Sequence, residues 1–490
     1  MFLGIDLGTS GVKAVLLDDR HDLVAMADAP LRVSYPQPLW SEQDPQDWWY
    51  ALEEAVLQLR SRAPQQWLKV QAIGLSGQMH GAVVLNDSME VLRPAILWND
   101  GRASLECAQL ESLVPESRRI TGNIAMAGFT APKLLWMRQH EPDIFRRINK
   151  VLLPKDWLRW KLTGELVSDM SDASGTLWLD VKNRCWSEAM LGACGLNQSH
   201  MPRLVEGSAV SGYLSTACVQ QWGLSANVIV AGGGGDNAAS AIGIGAAESG
   251  QGFVSLGTSG VIFLVGDCYR SAPEKAVHSF AHALPKRWHQ MAVILSAASA
   301  FSWVTRLTGS ASEAALSQDI EAMTGQQRMR APLFLPYLQG ERTPHNNPHA
   351  RGAFIGLSSS HVASDLGYAV LQGVTLALMD CWQAMGQSQR PDSHLALVGG
   401  GARNNTWAQL VASALGCPIE RPDGAQAAAA IGAARLACLA AGGDEGEVCK
   451  SLPADRTFNP CLEQAEVLQE KLLRFRGLYG PVIDAPPEII

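Results

Sequence analysis

The chain predicts an α/β fold of two similarly built halves enclosing a central cleft, and three observations carry that prediction. Leu7-Gly8-Thr9-Ser10-Gly11-Val12 recurs letter for letter as Leu256-Gly257-Thr258-Ser259-Gly260-Val261, just past the middle of the 490-residue chain. Each copy lies between two short apolar runs, residues 2–5 and 12–17 in the first case, 253–256 and 261–265 in the second. Both therefore read as β-hairpins turning through Gly-Thr-Ser-Gly. A strand-like run, a glycine turn and a helical stretch also occur twice: residues 227–231, 232–235 and onward from Asn237, then 395–398, 399–401 and a helix near Asn404.

The elements follow in order. Asp44-Pro45 is a helix start, with Trp48, Leu52, Ala55, Val56 and Leu59 on one face as far as about Arg60. Near Asn404 the residues Trp407, Leu410, Val411, Ala414 and Leu415 repeat at helix spacing. A domain boundary is expected near residues 243–251, which divides the chain into 1–246 and 247–490. The last dozen residues, with Pro481, Pro486 and Pro487, read as a loose tail.

Composition narrows the function. Hydrophobic residues make up 47% and charged residues 18%, an ordinary globular balance. A net charge of -8 argues against a nucleic-acid partner, because such affinity leans on clustered Lys and Arg. Small anions stay open, since backbone amides can bind phosphate without a basic surface. The ten cysteines are scattered without a CxxC, which fits reduced thiols and a cytoplasmic protein. The start, Met1-Phe2-Leu3-Gly4-Ile5-Asp6, does not read as a signal peptide. Residues 425–443 form the most apolar long stretch but carry Arg435 and many alanines, too weak a signal for a membrane span.

Familiar signatures are missing. There is no GxxxxGK[ST] and no GxGxxG. Ser10 and Lys13 match SxxK only within a hairpin. His278 and His282 have the spacing of metal ligands on a helix, but no HExxH accompanies them, and packing or surface histidines are the better reading. What remains is a pair of glycine-hydroxyl hairpins whose amides can approach phosphate oxygens, with Lys13 as a nearby charge. Asp6 beside the first would suit Mg²⁺, although a turn former is the plainer alternative. Asp236, between a glycine run and a helix, has the place of an N-cap, whose amide hydrogen bonds would lower its basicity. That is adequate for phosphoryl transfer, which asks mainly for positioning and charge neutralisation.

These segments resemble the ATP-binding elements of the sugar kinase, Hsp70 and actin superfamily: GIDLGTSGVK, its duplicate SLGTSGV, and GGGARNN. Two further stretches resemble the signatures of the FGGY carbohydrate kinases. One is Gly128-Phe129-Thr130-Ala131-Pro132-Lys133-Leu134-Leu135-Trp136; the other begins Gly352-Ala353-Phe354-Ile355-Gly356-Leu357. Within that family, LSGQMHG, LWNDGR, LPKDWLR, SDMSDASGTLWLD, GGDNAA and LPYLQGERTPHNNP are most similar to the branch that phosphorylates D-xylulose.

The resemblance implies two ribonuclease H-like domains, with the sugar mainly against residues 1–246 and MgATP mainly against 247–490. It implies ATP-dependent phosphorylation of D-xylulose, with another ketose, a polyol or gluconate as the alternative acceptor. It implies Asp236 as catalytic base, Asp6 as metal-associated acid, and Gln78, Met79, His80, Trp98, Asn99, Asp100 and Asn237 around the sugar. Thr9, Ser10, Lys13, Gly257 and Thr258 would meet the phosphates, and Gly400 and Asn404 the adenosine. Arg342 reads as a buried structural partner. ATP and Mg²⁺ are the implied cofactors, and a homodimer is what the family suggests. An ATP-switched binding protein of Hsp70 or actin type is the rival from another class; against it, the chain places Asp236 where a hydroxyl could be received. Two departures stand out: four glycines before Asp236, where relatives usually show three, and Ala428-Ala429-Ala430-Ile431-Gly432 in place of Gly-Pro-Ala-Leu-Gly.

Overall fold

The computed structural model describes residues 1–386 and 395–483, with side chains to residue 480. Two mixed sheets of seven strands each carry the fold. The first runs Val210–Tyr213, Ile229–Ala231, Ala72–Gly77, Phe2–Leu7, Gly11–Leu17, Leu23–Pro30, with Gly234–Gly235 also paired to Ala72–Gly77. The second runs His278–Ala281, Trp288–Ile294, Gly260–Gly266, Gly252–Leu256, Leu395–Val398, Ile419–Pro422, Ala454–Phe458.

The two follow one pairing plan. A hairpin built on the repeated turn gains a further antiparallel strand on its outgoing side. On its incoming side come two parallel neighbours and then an antiparallel edge strand. Parallel neighbours need long crossovers, and amphipathic helices supply them. Pro45–Arg62, capped by the Asp44 carboxylate on the Gln46 N–H, buries Trp48, Leu52, Ala55, Val56 and Leu59. Asn405–Leu415 buries Trp407, Leu410, Val411, Ala414 and Leu415 between two strands of the second sheet. In both cases the face read from spacing is the buried one.

Helices Asp236–Ile244 and Ala428–Ala440 cross in direct backbone contact. A Cβ on Gly432 would stand 1.7 Å from the Ala239 carbonyl oxygen, and one on Gly243 would stand 1.9 Å from that of Ala428. Only residues without a side chain fit there. Arg435 seals the crossing: it is almost fully buried, and its Nη1 donates to the Ile242 carbonyl at 2.8 Å, near the end of the first helix. The alanines that replace Gly-Pro-Ala-Leu thus form the first turns of a helix lying on strands Phe2–Leu7 and Ala72–Gly77 of the opposite sheet.

Two local expectations are corrected. His278 lies on strand His278–Ala281, with His282 directly after it, so alternation of the strand and not a helical turn sets their directions. The final helix runs Leu462–Ile483, passing through Pro481 where a loose tail was expected; residues 484–490 lie outside the described residues. Among the described residues no helix is long and apolar enough to cross a membrane.

Candidate active site

A cavity of about 190 Å³ lies between the sheets. Met79, His80, Trp98, Phe129, Asp236 and Asn237 line it from the first half; Ser259, His278, Phe280 and Arg342 line it from the second. The second repeated turn reaches it through Ser259, and the first stands one hydrogen bond behind the wall, where Trp98 donates its indole N–H to the Thr9 hydroxyl at 2.9 Å.

Asp236 is the first residue of its helix; the cap position belongs to Gly235, which offers no side chain. The Asp236 Oδ1 accepts from the Asn237 N–H at 2.7 Å and the Asn237 amide at 2.9 Å. These bonds act in the acid-strengthening direction expected of a cap. Burial outweighs them and, with the Asp6 carboxylate nearby, pushes Asp236 up to about 7. The expected loss of basicity is therefore reversed.

The loop before Asp236 is held from behind. Arg159 donates to the Gly232 carbonyl, and the Gly235 N–H donates to Ser171 Oγ at 3.1 Å. Ser171 in turn donates to Asp169 Oδ1 at 2.5 Å. Lys155 Nζ sits 2.6 Å from Asp156, 2.7 Å from Asp169 and 3.4 Å from Asp172, all fully enclosed. Three clustered carboxylates could hold an ion, but the ammonium of Lys155 already lies among them. The strings LPKDWLR and SDMSDASG supply this array.

His80 has φ of 69°, a left-handed conformation rare outside glycine. Its carbonyl is gripped by Lys133 Nζ at 2.8 Å and the Thr130 hydroxyl at 3.1 Å, which hold the strained turn in place. Burial and the nearby cations Lys133 and Arg342 push the imidazole down to about 3, so it is neutral.

A second, open groove of about 720 Å³ runs along Ser255, Gly399, Gly400, Arg403, Arg421 and Gln426, entirely within the second half. Its size is in the ~300–1,000 Å³ range of small-molecule sites. Gly399, with φ of 88°, packs its backbone on the residues entering the second turn: a Cβ there would be 2.7 Å from Leu256. The groove therefore abuts Gly257 and Thr258. Thr258 is exposed, while its carbonyl is fixed by Ala297 N–H at 3.0 Å and the Ser299 hydroxyl at 2.7 Å.

Asp6 is half-buried, opposite Lys13 in the hairpin register. Its Oδ1 accepts from the Ser76 hydroxyl at 2.8 Å, and burial raises its pKa. Lys13 Nζ donates to the Gln426 carbonyl at 2.7 Å, bridging the halves beside the groove. Ser10 is exposed at the turn.

Of the predicted residues, Gln78, Asn99, Asp100 and Asn404 stand back from the two cavities, and Asp6, Thr9, Ser10, Lys13, Gly257 and Thr258 lie beside them without lining either. Gln78 is buried behind Thr9, accepting from its hydroxyl at 3.1 Å and donating to Gln43 at 3.0 Å. Asp100 is occupied by the Ser41 N–H at 2.6 Å and by Arg102, 2.7 Å away, so it anchors its loop. Asn99 is exposed and off the cavity wall. Asn404 caps helix Asn405–Leu415 through the Trp407 N–H at 2.9 Å and donates to Ser317 at 3.0 Å. Conversely, Arg342, by its sequence context a structural partner, stands on the wall. The string GERTP is its only signal; Phe129 lies in the first family signature, while the apolar wall residues Phe280, Met291 and Val293 have none beyond hydrophobicity.

Comparison with known proteins gives the family. The N-terminal domain of the FGGY family of carbohydrate kinases matches residues 1–243, and the C-terminal domain of that family matches 252–441. The chain belongs to the FGGY family of carbohydrate kinases. This FGGY kinase is 49% identical over 486 residues to Xylulose kinase of Escherichia coli (strain K12), covering 99% of each chain. It is 50% identical over 462 residues to Xylulose kinase of Klebsiella pneumoniae, covering 94% of each. The crystal structure of a xyloylose kinase from Brucella ovis superposes with a TM-score of 0.95 at 47% identity, covering 99% of this chain and 100% of that one. The two-domain α/β sugar kinase fold is thus this kinase's fold.

Proposed function

We propose that this FGGY kinase transfers the γ-phosphoryl group of ATP to O5 of D-xylulose, yielding D-xylulose 5-phosphate and ADP. The carrying observation is Asp236, near 7, on the wall of a sugar-sized cavity that both hydroxyl-rich turns approach. Similarity to xylulose kinases over nearly the whole chain supports the choice of sugar.

In this reading residues 1–246 form the sugar side and 247–490 the nucleotide side. ATP lies along the open groove past Gly400, with its phosphates toward Gly257 and Thr258 on one side and Thr9, Ser10 and Lys13 on the other. Asp6 fits a divalent cation, Mg²⁺ by the preference of that ion for carboxylate oxygen and water: its Oδ2 takes no hydrogen bond among the described residues. When bound, such an ion offsets the negative charge of the phosphates.

The sugar enters the cavity with its chain along Met79, His80 and Trp98, and Asn237 orients it. Asp236 accepts the O5 proton as O5 approaches the γ-phosphorus in line. A base near 7 matches neutral operation, being substantially ionised yet still a useful proton acceptor. The loose transition state of phosphoryl transfer asks the protein chiefly for alignment. The apolar walls, Phe129, Phe280 and Val293, exclude water, which would otherwise compete for the phosphoryl group.

Sugar-dependent ADP release tests this with a panel of ketoses, polyols and gluconate. D-xylulose is expected to give the highest kcat/KM. A higher value for another acceptor would replace the sugar assignment, and no sugar-dependent release with any acceptor would overturn the kinase reading.

A further inference from the structure

Among the described residues on the cavity wall, only Asp236 and Arg342 carry charge, since burial holds the histidines there neutral. Arg342 forms no ion pair among the described residues. Its sequence neighbour Glu341 turns its Oε1 inward, accepting from the Leu295 N–H at 3.0 Å and the Arg342 N–H at 2.7 Å. Burial pushes Glu341 up to about 8, so even that neighbour is largely uncharged at neutral pH.

The segment is nevertheless rigid. The Thr343 N–H donates to the Val293 carbonyl at 3.0 Å, and the Val293 N–H donates to the Thr343 hydroxyl at 3.1 Å. Arg342 thus rides on the edge of strand Trp288–Ile294, whose Met291 and Val293 form part of the same wall. A partly desolvated guanidinium without a counter-ion costs stability, and a fold keeps one where a ligand completes it.

Its position along the cavity follows from that pairing. Met291, two residues before Val293 on the same strand, pairs directly with His278 of strand His278–Ala281. Arg342 therefore stands on the second-half wall on the side of His278, whereas Asp236 comes from the first half. A guanidinium is a donor only, so it calls for an oxygen acceptor. With O5 at Asp236, the far end of an open-chain ketose presents its C1 hydroxymethyl and, beside it, the C2 carbonyl, the one oxygen of the sugar that can only accept.

We propose that Arg342 is a specificity-determining residue that donates to the C2 carbonyl oxygen of the ketose, at the end of the sugar remote from the phosphorylated hydroxyl. This rests on the cavity being the sugar site.

The test compares D-xylulose with xylitol, in which that carbonyl is reduced, in the wild type and in Arg342→Gln. Both are measured as acceptors, and xylitol also as a competitor of D-xylulose. Loss of a charged donor should lower kcat/KM for D-xylulose by about tenfold or more. The xylitol parameters and KM for ATP should move much less, so the preference for the ketose collapses. Equal losses for both sugars, or none, would overturn the proposal. Should Arg342→Gln fail to fold, Arg342→Lys keeps the charge without the planar fork and decides by the same ratio. A wild type inactive on D-xylulose would instead sink the function itself, a separate outcome.

Discussion

The Nδ1 atom of His80 lies 2.6 Å from the carbonyl oxygen of Gly175. A carbonyl only accepts, so Nδ1 carries the proton and Nε2 is left with a lone pair. The histidine can therefore receive a hydrogen bond from a sugar hydroxyl but cannot give one. Because its pKa is pushed down to about 3, the ring should remain the neutral Nδ1–H tautomer throughout pH 5–8. Nitrogen NMR of labelled protein reads this directly, and an imidazolium signal in that range would contradict it. His80→Ala should raise KM for the sugar by about tenfold, from one lost hydrogen bond plus lost packing, with KM for ATP little changed.

Asp236→Asn should keep the fold and lower kcat by at least ~10²-fold, the low end of general-base effects. A near-normal turnover number would remove Asp236 from that role. In the wild type, kcat/KM should fall as pH drops below about 7, because the protonated carboxyl no longer accepts a proton.

The same group makes a prediction about stability. Its folded pKa, about 7, lies above its ordinary value of 3.8, so the folded state binds the proton more tightly. Stability is therefore lost as pH rises from about 4 to about 7, at ~1.4 kcal/mol per unit of difference. Without metal or nucleotide, Asp236→Asn should be more stable than wild type at pH 8, by a margin that vanishes toward pH 4. Urea unfolding at the two pH values measures it; an Asn variant weaker at pH 8 would mean the carboxylate is not desolvated.

Thr258→Val preserves shape and removes one exposed hydroxyl next to the groove. It should weaken ATP binding by ~10-fold or more, the scale of a hydrogen bond to a charged phosphate, and leave D-xylulose binding nearly intact. Calorimetry with each ligand separates the two, and equal loss of both, or of neither, would refute the assignment.

Ser171→Ala leaves the Gly235 N–H buried without an acceptor. We expect ~1–3 kcal/mol of destabilisation and a lower kcat, with KM for ATP unchanged, because the loop carrying Asp236 loses one of its ties. A variant as stable and as fast as wild type would show that the loop holds itself.

The hairpins, the Pro45–Arg62 and Asn405–Leu415 helices, and the two-sheet plan were legible because each is written in local order: glycines with hydroxyls at a turn, apolar residues at a fixed spacing. Resemblance brought Met79, His80, Trp98, Asp236 and Asn237 to one place, and they do share one cavity wall. It also assembled Gln78, Asp100 and Asn404, whose polar atoms the fold turns to other partners. A neighbouring sequence position says nothing about which way a side chain points.

What the sequence determined alone was the duplicated scaffold and the kinds of group available to it, since turn chemistry and periodicity act over a few residues. Tertiary structure decided their behaviour. It raised the Asp236 carboxyl to about 7 in spite of its amide hydrogen bonds, selected one tautomer of His80, and brought Arg342 to the same cavity from far along the chain. The reason is that desolvation and field depend on everything packed within a few ångströms, most of it distant in sequence.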